Sequence, residues 1–154
     1  MTRGAAVFVL AAPPLTSGAR TIGRVALAQS ILGFENIVTV NLFPLATSDV
    51  LHIAKIGGDE QVWLSGRKSI LAQLETAADV VLAYGVSEPG GAAKMHHRHQ
   101  VQWLGAQLDR LKPRIWSVGS VPRHPSRWQR YTHAAFPSLP FREALALSLQ
   151  LVGP

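Results

Sequence analysis

Four short apolar runs are the first regular feature of the chain. They lie at residues 5–12 (AAVFVLAA), 36–43 (NIVTVNLF), 78–85 (ADVVLAYG) and 114–121 (RIWSVGSV). Each run is rich in Val, Ile and Leu and shows little alternation of polar and apolar positions, which is typical of strands covered on both faces. The pattern therefore predicts four buried strands.

Segments with the apolar spacing of helices lie between and after these runs, at residues 21–33, 59–77, 95–111 and 141–152. Strands that alternate with helices favour a parallel sheet joined by right-handed crossovers. We therefore predict an α/β fold, a three-layer α/β/α sandwich with a four-stranded parallel sheet. A length of 154 residues suits one domain over residues 1–154.

The N-terminal segment MTRGAAVFVLAAPPL resembles a short signal peptide. Its apolar run, residues 5–12, is too short to span a membrane, and prolines follow it at once, so we interpret it as the first strand. The chain contains no cysteine, which excludes disulfides and thiolate metal sites. We expect a cytoplasmic protein with no membrane partner, and the sequence leaves its oligomeric state open.

The carboxyl ends of the predicted strands indicate where a ligand would bind, because ligands of open α/β sheets lie beyond those ends. Residues 11–18, 41–49, 84–91 and 122–128 follow the four strands and are expected to share one rim. The last of these stretches contains His124 in the motif Pro-Arg-His-Pro-Ser. The residues expected to bind substrate at this rim are Ala12, Pro13, Pro14, Asn41, Phe43, Tyr84, Gly85 and Ser126.

The positive charge is local. The net charge is +6, and between residues 94 and 130 the one acid is Asp109. The basic residues of that stretch are Lys94, Arg98, Arg110, Lys112, Arg114, Arg123, Arg127 and Arg130. A basic face is the usual footprint of a phosphate-bearing partner, although a solvated surface gives the same pattern.

Arginines and aromatic residues alternate after His124, where Trp128 and Tyr131 interleave with Arg123, Arg127 and Arg130. Guanidinium groups meet phosphates and rings stack on bases, so this pattern suits single-stranded or locally opened nucleic acid. A solvated loop with a core tryptophan is the alternative. We expect a nucleic acid, DNA foremost, or a nucleotide as partner.

The segment HHRH at residues 96–99 places His96 and His99 at a spacing that suits a metal site on a helix. Lys94 and Arg98 oppose metal binding, so we predict no metal and no cofactor. A basic helix start that faces phosphate is the preferred interpretation, and it assigns Lys94 and Arg98 to nucleic-acid binding.

Three blocks carry a family resemblance: NLFPLATSD (41–49), VVLAYG (80–85) and VGSVPRHP (118–125). Their order and spacing resemble a family of uncharacterised small bacterial and phage proteins, whose last motif is Pro-Arg-His-Pro. That family in turn resembles the uracil-DNA glycosylase superfamily, which has a four-stranded parallel α/β fold and a His-Pro-Ser motif after the last strand.

The resemblance implies roles for individual residues. Pro13 matches the proline of the first motif, and His124, Pro125 and Ser126 match the last motif. Asn41 and Phe43 are then candidates for reading the base and for stacking on it. His124 would stabilise the negative charge that develops on the leaving base, a role in which a fixed donor is worth about 10²–10³ in rate.

One position departs from the family pattern. Ala12 stands where the family usually has Asn and where many glycosylases have Asp or Asn, the residue that orients or activates water. Thr16, Ser17 and Asp49 are nearby substitutes; Asp49 could act as a general base, or cap a following helix.

Three hypotheses stay open: an N-glycosylase, a non-catalytic nucleic-acid-binding module, and an enzyme of free nucleosides or nucleotides. No nucleotide-loop, dinucleotide-binding, serine-hydrolase or zinc-protease motif is present.

Overall fold

The computed structural model describes residues 3–153. Its strands are β1 (Arg3–Leu10), β2 (Phe34–Asn41), β3 (Asp79–Leu82), β4 (Arg114–Val118) and β5 (Leu149–Leu151). Its helices are α1 (Ala19–Leu32), α2 (Val50–Ile56), α3 (Glu60–Ser65), α4 (Arg67–Leu74), α5 (Ala93–Leu111), α6 (Trp128–Ala135) and α7 (Phe141–Ser148), with a 3₁₀ turn at Pro125–Arg127.

The strands form one sheet in the order β2-β1-β3-β4-β5. The first four are parallel, and β5 pairs antiparallel with β4. The α/β class is therefore confirmed. The four predicted strands are present and parallel, but a four-stranded parallel sheet is not confirmed, because β5 makes the sheet five-stranded and mixed. The last predicted helix stops at Ser148, and the chain then pairs with the edge of β4 that would otherwise stay open.

Two further predictions are corrected. Residues 59–77 do not form one helix, because α3 ends at Ser65 and Gly66 separates it from α4. The strand β2 is not covered on both faces: it lies at the edge of the sheet, and Glu35, Asn36 and Thr39 are exposed. The inner strands β1 and β3 are buried as predicted.

Apolar side chains cover both faces of the sheet. On one face Phe8 and Val81 pack with side chains of α1, α6 and α7, among them Trp128. On the other face Val9 and Val80 pack with side chains of α4 and α5. The helices therefore leave the carboxyl rim of the sheet to the loops. Within residues 3–153 no helix combines the length and the apolar character needed to cross a membrane.

Candidate functional site

A cleft of about 1060 Å³ lies at the carboxyl rim of the sheet. It is lined by the loops after all four parallel strands and by the first turn of α1. This is the position predicted for a ligand site in an open α/β sheet. The predicted residues that line it are Ala12, Pro14, Asn41, Asp49, Tyr84, Gly85, Arg123, His124, Ser126 and Arg127. Residues far apart in sequence therefore meet in one place.

Backbone hydrogen bonds hold the rim loops together in pairs. The Thr47 N–H donates to the Pro13 carbonyl at 2.9 Å, which joins the loop after β1 to the loop after β2. The Gly85 N–H donates to the Pro122 carbonyl at 2.7 Å, which joins the loop after β3 to the motif of His124. Gly85 has a φ of 91°, a backbone conformation that favours glycine. Pro13 and Gly85 thus shape the cleft through their backbones.

His124 begins the 3₁₀ turn and faces the cleft. The Ser126 backbone N–H donates to His124 Nδ1 at 3.1 Å, and Ser126 Oγ lies 2.9 Å from the same nitrogen. A backbone N–H can only donate, so Nδ1 acts as the acceptor and the neutral ring carries its proton on Nε2. The capping contact therefore leaves Nε2–H as a donor for a ligand.

The surroundings of His124 keep its ring neutral. Burial lowers the pKa of His124 below its usual value, and the positive charges of Arg127 and Arg24 lower it further. A neutral imidazole can donate a hydrogen bond from Nε2 although it carries no net charge. This is the state that suits stabilisation of charge developing on a ligand oxygen.

Arg24 in α1 is a residue that the sequence argument missed. Its Nη1 donates to the Pro125 carbonyl at 2.8 Å and its Nη2 to Gln129 Oε1 at 3.1 Å. Arg24 therefore fixes the turn that carries His124. No local sequence signal could have found it, because Arg24 and Pro125 are 101 residues apart.

Asn41 ends β2, and its side chain lines the cleft. Its Oδ1 atom is buried and has no hydrogen-bond partner among residues 3–153. A buried acceptor without a partner costs about 1–3 kcal/mol, and such groups in proteins call for an explanation. Rotation about the last side-chain bond exchanges the oxygen and the NH₂ group. A ligand bound here could therefore meet either a donor or an acceptor.

Asp49 is the one carboxylate among the residues that line the cleft. It is the N-cap of α2, where its Oδ1 accepts the His52 N–H at 2.9 Å. The capping alternative raised by the sequence is therefore present in the structure. Ala12 lines the cleft without a polar side-chain group, and its predicted substitutes Thr16 and Ser17 line the same cleft.

Phe43 does not face the cleft, which corrects its expected place as a stacking platform. Its side chain is fully buried, and its ring packs against Trp63 at a centroid distance of 4.7 Å. The sequence could not show this, because Trp63 lies on another element. Trp63 and Tyr84 are the aromatic residues that line the cleft. Burial raises the pKa of Tyr84, so its phenol stays protonated at neutral pH.

The five residues predicted to bind nucleic acid do not share one site in the structure. Arg127 lines the cleft and has no side-chain partner among the described residues. Arg123 donates from Nη1 to the Val118 carbonyl at 2.9 Å and stacks on Tyr131. Arg130 lies outside this cleft, as do Lys94 and Arg98. Arg98 pairs with Glu88 through two contacts of 2.8 and 3.1 Å.

The histidines at the start of α5 form no metal site. His96 Nε2 lies 3.2 Å from the Gly58 carbonyl, and the ring of His97 meets the ring of Trp63 edge-on. Burial lowers the pKa of His97, which also lines the cleft. Across residues 3–153 no group of three or more His, Asp or Glu residues lies where it could hold a metal ion.

No family model, no curated protein and no solved structure matches the chain. The function is therefore inferred from the residues of the cleft.

Proposed function

We propose that the protein binds a nucleobase of a nucleic acid in the cleft at the carboxyl rim and hydrolyses the N-glycosidic bond to that base. One observation carries the proposal: the Nε2–H donor of a neutral His124 and the unpaired amide oxygen of Asn41 line the same cleft. A flipped base presents carbonyl and N–H groups on its edge, which match a donor and an amide.

The bond that breaks joins the base nitrogen to the anomeric carbon of the sugar. Its electron pair stays with the base, and negative charge develops on the base carbonyl oxygen. His124 Nε2–H would donate to that oxygen, while water adds its hydroxide to the anomeric carbon. Asp49 would take the proton of the water, and the base anion is then protonated from solvent. A fixed donor of this kind is worth about 10²–10³ in rate.

Other residues of the cleft would bind rather than react. Asn41 would read the edge of the base through its amide, and the ring of Tyr84 offers an aromatic surface beside it. Arg127 would bind a phosphate, since its guanidinium has no side-chain partner among residues 3–153. The motif resemblance to uracil-DNA glycosylases supports the same roles for Asn41 and His124.

A second candidate function is a nucleic-acid-binding module without catalysis, and two observations favour it. Ala12 supplies no group that could orient water, and Asp49 already accepts a hydrogen bond from the backbone of α2. An enzyme that acts on free nucleosides would use the same cleft without needing Arg127, whereas one that acts on free nucleotides would still place a phosphate there.

The first test measures base release from single- and double-stranded DNA that carries uracil or a panel of modified bases. The matched variant is His124→Asn, because asparagine also caps a helical turn but lacks the Nε2–H donor. We expect release by the wild type and a loss of about 10²–10³ in the variant. Binding without release would instead establish the binding module, and absence of both would refute the proposal.

Asp49 is tested by two substitutions that separate its charge from its cap. Asp49→Asn keeps a capping oxygen and removes the charge, whereas Asp49→Ala removes both. We expect Asp49→Asn to lose base release with an unchanged Tm, and Asp49→Ala to lose about 1 kcal/mol of stability as well. Wild-type release by Asp49→Asn would show that Asp49 only caps α2.

A further inference from the structure

A second cleft, of about 600 Å³, adjoins the first at Ser126 in the 3₁₀ turn. It is lined by residues of α6, by Arg24 of α1 and by the start of α7. The residues that line it are Arg24, Ser126, Gln129, Arg130, Thr132, His133, Leu139, Phe141 and Ala144. Nothing in the proposed reaction uses this cleft.

The two walls of the second cleft differ in chemistry. Ser126, Gln129, Arg130 and His133 follow the helical spacing of three and four residues, so they form one polar stripe along the turn and α6. The opposite wall is apolar and includes the ring of Phe141. No carboxylate lines the cleft, so the charged side chains that line it, Arg24 and Arg130, are both positive.

The polar stripe contains groups that the fold does not use. Arg130 and His133 are exposed, and neither side chain has a partner among the described residues. Arg24 differs, because its guanidinium already binds the Pro125 carbonyl and Gln129. The second cleft therefore combines a free guanidinium, that of Arg130, with the aromatic ring of Phe141. This combination suits a ligand that carries both a phosphate and a planar base, as a nucleotide does.

The two clefts meet at Ser126, an exposed residue that lines both. Arg127, whose guanidinium has no partner in the described chain, follows directly and faces the first cleft. Positive groups without partners therefore continue from one cleft to the other across the turn of His124. A ligand that fills both must be longer than one nucleotide.

We propose that the second cleft binds the phosphate and the adjoining nucleotide of the same strand whose base enters the first cleft. The substrate is then a single strand of nucleic acid, not a free nucleoside. This inference rests on the proposed function of the first cleft, and it assigns Arg130 to a phosphate next to the flipped nucleotide.

The test compares Arg130→Gln with Lys68→Gln, a matched control that removes one positive charge from an exposed position of α4. The probes are a short single-stranded DNA that contains one deoxyuridine, and free deoxyuridine monophosphate. Dissociation constants are measured over a range of salt concentrations. We expect Arg130→Gln to weaken DNA binding about 4-fold at 0.15 M salt and to lower the salt slope by about 0.7. Binding of the monophosphate should not change, and Lys68→Gln should change neither.

Each other outcome overturns the inference in a distinct way. Equal weakening of DNA binding by Arg130→Gln and Lys68→Gln would show a response to net charge alone, and unchanged binding by Arg130→Gln would show that Arg130 meets no phosphate. If the monophosphate and the DNA bind equally and without salt dependence, the first cleft acts on a free nucleotide and the second takes no strand. If neither probe binds to the wild type, the proposed function fails and the inference fails with it.

Discussion

Two segments of this chain are rich in Arg and His, and the structure uses them differently. The first, the α5 start, is residues 94–100. The second, the His124 segment, is residues 123–130. Their composition alone predicts nucleic-acid binding for both.

The α5 start is engaged in contacts within the protein. Arg98 pairs with Glu88 from the preceding loop, and His96 binds the Gly58 carbonyl. Gln100, fully buried, donates to the carbonyls of Leu42 and Trp63 at 2.8 and 3.0 Å. This segment therefore fastens α5 to the loop after β2 and neutralises Arg98, while Lys94 stays exposed.

The His124 segment keeps free cations. Arg123 is engaged by the Val118 carbonyl and Tyr131, but Arg127 and Arg130 have no side-chain partner in the described chain and each faces a cleft. The sequence holds no acid between Arg110 and Arg142. The two segments therefore differ in whether the fold brings a carboxylate to their charges, and our binding proposal rests on the segment that has none.

Gln100→Leu should have the largest effect on stability. It leaves the carbonyls of Leu42 and Trp63 without their donor and Arg67 Nε without its acceptor at 2.8 Å. Unsatisfied buried groups cost about 1–3 kcal/mol each, so we expect a loss of roughly 3 kcal/mol in the free energy of unfolding, measured by urea denaturation. Gln102→Leu, at an exposed position of the same helix, is the control and should be nearly neutral. Equal stability of the two variants would show that the α5 start does not fasten the loop.

Arg127→Gln and Arg98→Gln should separate the two segments by their effect on binding. Both remove one positive charge, but Arg98 is already paired with Glu88 whereas Arg127 is not. We expect Arg127→Gln to weaken binding of single-stranded DNA about 4-fold at 0.15 M salt, and Arg98→Gln to leave it unchanged within about two-fold. Fluorescence anisotropy over a salt series measures both. A larger effect of Arg98→Gln would reverse the assignment of the two segments.

Much of the fold could be predicted because it follows from local pattern. The buried run of β1 and the helices α1 and α5 lie within two residues of their predicted ends. The rim position of Asn41 and His124 follows from the parallel sheet, whose strand ends meet at one edge.

The features that the sequence could not predict all depend on a distant partner. The strand β5 forms because it pairs with the edge of β4. Its three residues are too few to show the apolar periodicity of a strand. Phe43 is buried because Trp63 packs on it. Arg24 acts on Pro125 across 101 residues. In each case the sequence contains the residue but not the contact.

The smallest effect concerns the pKa values of two histidines, one from each segment. The positive charge of Arg127 lowers the pKa of His124, whereas the negative charge of Glu88 raises the pKa of His97 against a larger lowering by burial. We therefore expect Arg127→Gln to raise the pKa of His124 and Glu88→Gln to lower that of His97. NMR titration of the ring protons measures both shifts. A pKa of His124 unchanged by Arg127→Gln would contradict the placement of Arg127 beside the ring.

The same two pKa values set the direction of the pH dependence of stability. Both are lower in the folded protein than the usual value of about 6.5, so the unfolded chain binds more protons just below that pH. The free energy of unfolding should therefore fall as the pH drops below about 6.5, and the contribution of these rings should level off below their folded pKa values. In Arg127→Gln the difference between the folded and unfolded pKa of His124 narrows. The free energy of unfolding should therefore fall less with decreasing pH than in the wild type. An equal fall in the two proteins, measured by urea denaturation across this range, would show that Arg127 does not act on His124.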